Sequence, residues 1–125
     1  LFVAGTLTGV IDFYYAHHAA YIYDLAVAFA DWCFVQNDAE VHADNARAMI
    51  NGYTSIRPLS DDEITAWPAA IELASLRFLL SRLHDKHFPR AGSITQNQVP
   101  LVFRRLLEKS QQEPEALLAL IKGSD

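Results

Sequence analysis

Gly9-Val10-Ile11-Asp12-Phe13-Tyr14-Tyr15-Ala16 is the stretch on which the reading of this chain turns. Asp12 is a carboxylate closing an otherwise apolar run of β-formers, and three aromatics follow it. Such a carboxylate has two uses. It can hold Mg2+ against polyphosphate oxygens, because magnesium favours hard oxygen ligands, or it can cap the turn that ends a strand. The residues alone leave both open. Working backward, Leu1-Phe2-Val3-Ala4 is a second apolar run and Gly5-Thr6 reads as a turn. Residues 1–13 therefore predict a β-hairpin whose second strand runs from Leu7 to Phe13. A lone hairpin is marginally stable, and the rest of the chain offers no other clear strand.

Working forward, everything from about Ala19 reads as helix. Ile22, Leu25, Ala26, Phe29, Trp32 and Cys33 follow the i, i+3, i+4, i+7 spacing of a buried face. Asp24 and Asp31, seven apart, share a second stripe on that helix. Gln36-Asn37-Asp38 reads as the loop that ends it. Asp44 or Asn45 is placed to cap the next helix, with Ala46, Met49, Ile50 and Tyr53 facing inward. Ser60-Asp61-Asp62-Glu63 is a capping box, and a long apolar helix to about Lys86 follows it. That helix is apolar nearly all round from Ala74 to Leu83, which predicts a central, buried element. Pro68 predicts a kink in it, or a short helix ahead of a longer one. Pro89-Arg90-Ala91-Gly92-Ser93 reads as a loop. Pro100 and Pro114 suit first-turn positions of two further helices, carrying Leu101, Val102, Leu106 and Leu107, then Leu117, Leu118 and Ile121. Gly123 ends the pattern.

Composition bounds the function. With 125 residues, 51% hydrophobic and 20% charged, the chain has the size and mix of one globular domain. A net charge of -5 argues against nucleic-acid backbones as partners. No stretch approaches a membrane span. One cysteine rules out an internal disulfide framework and a multi-cysteine zinc site. The opening Leu1-Phe2-Val3 lacks a basic leader and an initiator methionine, so the chain reads as the later part of a longer one.

The other reactive side chains have plain structural readings. His17-His18 reads as a solvated loop, and His84 and His87 as residues interacting favourably with a helix C-terminus. Cys33 reads as a buried thiol on an apolar helix face. His42-Ala43-Asp44-Asn45 reads as a helix start. Arg77 and Arg82, about 140° apart around a helix, read together with Arg57 as partners of internal carboxylates such as Asp24 or Asp31. Asp24 and Asp31 themselves suit either an ammonium ligand or a brace for neighbouring loops.

Three segments together carry a resemblance. Gly9-Val-Ile-Asp-Phe-Tyr-Tyr-Ala16, Tyr23-Asp-Leu-Ala26 and Asp31-Trp-Cys33 resemble the C-terminal lobe of the aminoglycoside phosphotransferase and choline kinase group. Gly52-Tyr-Thr-Ser-Ile-Arg-Pro-Leu-Ser60 and Leu76-Arg-Phe-Leu-Leu-Ser-Arg-Leu83 resemble the bacterial homoserine kinases within it. The likeness runs from Leu1 to about Pro89. Ala30 stands where members often carry asparagine before Asp-Trp-Cys.

The resemblance implies a fold that is mainly α with a short N-terminal β-hairpin, the C-terminal lobe of a protein-kinase-like fold, over residues 1–125. It implies transfer of the ATP γ-phosphoryl to the hydroxyl of L-homoserine, in the cytoplasm, as a step toward threonine. Asp12 matches the magnesium aspartate and Asp24 the aspartate that braces the catalytic loop; Asp31 is set on the substrate side by its own place on the helix and not by the resemblance. The group supplies its base and a second metal ligand from a His-x-Asp-x-x-x-x-Asn loop ahead of the hairpin, and residues 1–125 contain none. No glycine-rich phosphate loop or ATP lysine is evident either. The base is therefore expected upstream of Leu1, and the 125 residues are expected to be inactive alone and prone to form homo-oligomers through an open strand edge. The alternatives are a related kinase for choline, an aminoglycoside or a methylthio-sugar, and a non-catalytic helical interaction module.

Overall fold

The structure, a computed structural model, describes residues 2–11, 13, 16–34, 40–88 and 101–123. Asp12 and the loops expected at 36–38 and 89–93 lie outside the described residues, as does Pro100.

The hairpin pairs β1 (Phe2–Val3) with β2 (Thr6–Leu7), antiparallel, with Phe2 opposite Leu7 and Val3 opposite Thr6. Its turn is Ala4-Gly5, one residue earlier than expected. Both turn residues have positive φ, 48° and 80°, the signature of a type I′ turn, whose twist suits the flanking strands. A β-branched threonine is a poor occupant of that left-handed region, so Thr6 joins the ladder and glycine takes the second turn position. The second strand also stops at Leu7 rather than Phe13. No third described strand lies beside it to continue the ladder, and Val10, Ile11 and Phe13 are exposed.

α1 (Tyr21–Trp32) buries Ile22, Leu25, Ala26, Phe29 and Ala30. Trp32 is a correction: it lies at the flank of that stripe in the last turn and is 66% exposed. Cys33 caps the helix instead of sitting within it, and its N–H donates to the Phe29 carbonyl at 2.9 Å. An isolated bridge between Phe34 and Val41, with the His42 N–H donating to the Cys33 carbonyl at 2.7 Å, ties the end of α1 to α2 (Ala43–Ile56). His42, not Asp44 or Asn45, holds the cap position, and no side chain caps it. Asp44 lies in the first turn and pairs with Arg47 at 3.1 Å. Asn45 donates to the Trp32 carbonyl.

α3 (Asp61–His87) starts at the expected box. The Glu63 N–H donates to Ser60 Oγ at 3.2 Å and the Ser60 N–H to Glu63 Oε2 at 2.9 Å. Such a cap is worth about 1 kcal/mol. The helix runs through Pro68 as one element, which excludes a separate short helix before it. α3 packs against α1, α4 (Leu101–Gln112) and α5 (Pro114–Lys122) and is the hub of the core. Trp67, Ala70, Ile71, Ala74 and Ser75 line that side. The Ser75 hydroxyl satisfies itself on the Ile71 carbonyl at 2.7 Å.

Burial all round α3 is not observed. Leu73, Leu76, Leu80 and Leu83 form a stripe away from that side and are 36–57% exposed. The other described helices cover one side of α3, and composition alone does not reveal how many neighbours a helix has. In α4, Phe103 is buried and stacks on Phe78 at 4.8 Å, whereas Leu101 is exposed. Pro114 occupies the first turn of α5 as its fixed φ favours, and Gly123 follows the helix at φ 75°.

Candidate functional site

Where the segment after the hairpin meets α1 and α3, a cleft of about 490 Å³ opens. Ala16, His17, Ala19 and Ala20 form its rim; Tyr21, Tyr23, Asp24 and Val27 of α1 and Arg77 and Phe78 of α3 form its walls. The His17 and Tyr23 rings meet edge-on at 6.5 Å. Helical spacing explains the wall: Tyr23, Asp24 and Val27 occupy neighbouring positions on one side of α1, next to its buried stripe.

The structure treats the two helix carboxylates differently. Asp24, exposed in the first turn of α1, lines the cleft. Asp31, two turns on and also exposed, does not. Neither makes an ion pair among the described residues. Ala16 follows Asp12 by four positions, which bounds their Cα separation at about 14 Å of extended chain.

The arginines do not pair with Asp24 or Asp31 as expected. Arg57 Nη2 donates to Glu63 Oε1 at 2.8 Å, and its guanidinium lies 4.5 Å from the Tyr21 ring centre. Glu63 thus closes the capping box with one oxygen and takes Arg57 with the other. The six-residue spacing across Pro58-Leu59-Ser60 was the available signal, once the box had fixed Glu63. Arg77 lines the cleft over the Phe78 ring at 5.6 Å. Arg82 has an unpartnered buried Nε among the described residues.

The Arg57 hydrogen bond, and after it the Ser60 N–H, hold the Glu63 carboxyl below the usual glutamate range. A lowered folded-state pKa means stability that is present above the ordinary glutamate pKa and lost as pH falls through the lowered one. Urea unfolding of Glu63→Gln is therefore expected to differ from wild type at neutral pH and to converge on it in acid. A pH-independent difference would contradict this.

Cys33 is a buried thiol, pushed up to about 11 by its burial, and is no nucleophile at neutral pH. His17 and His18 are exposed. His84 and His87 sit in the last turn of α3, at the helix C-terminus as expected. Among the described residues no three His, Cys, Asp or Glu side chains group as a metal site, and no helix is long and apolar enough to cross a membrane.

Comparison with known proteins bears out the resemblance. Residues 1–59, the hairpin through the end of α2, match the phosphotransferase enzyme family. The chain is similar to homoserine kinases. It is 46% identical over 112 residues to the homoserine kinase of Methylobacillus flagellatus, covering 90% of this chain and 35% of that protein. The homoserine kinase of Phenylobacterium zucineum is 40% identical over 117 residues, covering 94% and 36%, and that of Neisseria meningitidis 44% over 105 residues, covering 82% and 33%. The chain thus spans about a third of the length of the homoserine kinases it matches. Its architecture, mainly α behind a short N-terminal hairpin, is consistent with the C-terminal lobe of such a phosphotransferase.

Proposed function

We propose that residues 1–125 are the helical C-terminal lobe of a cytoplasmic homoserine kinase. The reaction is ATP plus L-homoserine giving ADP and O-phosphohomoserine, a step toward threonine. The observation that carries this reading is the identity of 46% to a homoserine kinase, maintained over 90% of the chain. Of the residues that line the cleft, Ala16, Tyr23, Asp24, Arg77 and Phe78 fall in the segments that carry the resemblance.

In this reading Asp12 is the chain's one magnesium ligand. A single carboxylate suits that ion, which keeps several waters and phosphate oxygens in its octahedron and needs no all-protein cage. Bound there, magnesium would neutralise charge on the β- and γ-phosphates. Asp24 braces the catalytic loop from the cleft wall, and Asp31 acts on the substrate side. The base for the homoserine hydroxyl, the second metal ligand and the lysine for the triphosphate belong to the nucleotide-binding lobe and the His-x-Asp-x-x-x-x-Asn loop, outside these residues. The isolated lobe is therefore inactive.

A screen of hydroxyl acceptors with the full-length protein tests the proposal. Magnesium-dependent ADP release is expected with L-homoserine and not with choline, an aminoglycoside or a methylthio-sugar. Preference for one of those would assign a sister kinase. Release with none, and no nucleotide binding, would leave a helical interaction module.

A further inference from the structure

The cleft contains a cation that the phosphoryl-transfer reading does not use. Arg47, Arg57 and Arg104 each hold a carboxylate at 2.8–3.1 Å. Arg77 holds none among the described residues, although Asp24 lines the same cleft. The Phe78 ring, 5.6 Å from its guanidinium carbon, supports the planar group. A guanidinium supported on an aromatic ring and free of internal carboxylates can give two parallel N–H bonds to a ligand carboxylate, which a point-like ammonium cannot match.

The surroundings suit a small polar molecule. The volume, about 490 Å³, is within the range of small-molecule sites, which are typically apolar walls with a few placed polar groups. Here Tyr21, Tyr23, Val27 and Phe78 supply such walls. The rim at Ala16 follows Asp12 by four residues, so the cleft opens no more than about 14 Å of chain from the proposed phosphate-handling carboxylate.

We propose that Arg77 binds the carboxylate of the acceptor and so selects an amino-acid alcohol over alcohols that lack one. The inference rests on the homoserine reading and adds the residue that enforces it. Choline and aminoglycosides carry cations and no carboxylate, and gain nothing from a guanidinium at this position.

The test uses the full-length enzyme as wild type, Arg77→Met and Arg77→Lys, with L-homoserine, ATP and 3-amino-1-propanol, the decarboxylated analogue. Methionine retains an unbranched stem, and a thermal melt checks that each variant is folded. Arg77→Met is expected to raise KM for homoserine about 10- to 100-fold, the worth of a charge-assisted pair, with KM for ATP unchanged. The wild-type preference for homoserine over the analogue is expected to collapse in it, and Arg77→Lys to restore part of that preference. A wild type active on homoserine whose Arg77→Met variant keeps KM and preference would overturn the assignment and leave the kinase standing. A wild type that fails to phosphorylate homoserine would overturn the kinase reading and this inference with it.

Discussion

Asp12→Ala in the full-length enzyme is expected to lower kcat by about a thousandfold or more, which removes turnover for practical purposes. The reason is electrostatic. Transfer of a γ-phosphoryl group leaves little covalent work for the protein, so the barrier is lowered mainly by positioning and by the metal that neutralises phosphate charge. On the proposed role of Asp12 as the magnesium ligand, losing its carboxylate forfeits several kcal/mol, and each 1.36 kcal/mol is about a factor of ten. Stability is expected to move little. Val10, Ile11 and Phe13 are exposed and take no part in the core cluster. Asp12→Asn preserves the shape and lacks the charge, so it should fall nearly as far as alanine. ADP release and a thermal melt check both halves. Near-normal activity in either variant would return Asp12 to the role of a turn cap.

The largest stability effect is expected at Trp67. It is fully buried on α3, and its ring meets Phe29 of α1 edge-on at 5.2 Å. That pair stands where α1 crosses the hub helix, so truncation opens a cavity between two elements instead of at an edge. Trp67→Ala should cost about 3–5 kcal/mol, a third or more of a typical domain's stability. Trp67→Phe should cost distinctly less. The indole Nε1–H is buried without a partner among the described residues, so phenylalanine removes an unsatisfied donor along with part of the volume. Urea midpoints of the full-length protein measure both. Equal losses for the two variants would show that the orphan donor carries no penalty.

Much of the fold is legible before any coordinates. The α1 stripe, the Ser60–Glu63 box, Pro114 and Gly123 are local signals, set by the periodicity and end chemistry of one helix at a time. What sequence misplaces depends on neighbours. Trp32 has core chemistry and an exposed site, because it falls at the edge of its stripe where α1 ends. The α3 leucines read as buried because apolarity reports what a surface wants, not whether anything covers it. The turn at Ala4-Gly5 was missed by one position because two registers fit the same apolar runs, and only backbone handedness separates them. The site follows the same division. Asp24 was singled out by motif and does line the cleft, while the lack of a carboxylate partner for Arg77 among the described residues depends on which carboxylates fold near it, and Glu63 had already taken Arg57.

The leucines at 73, 76, 80 and 83 give α3 a second apolar side that stands open to water among the described residues. A helix in that position couples what stands on either side of it. Each leucine withdrawn from water is worth up to about 2–3 kcal/mol, so any partner that came to cover that side would add to the stability of these residues as directly as α1 or α4 does. Left open to water, the same row is an adhesive seam, and preparations of these 125 residues should clump through it unless the leucines are replaced by polar residues.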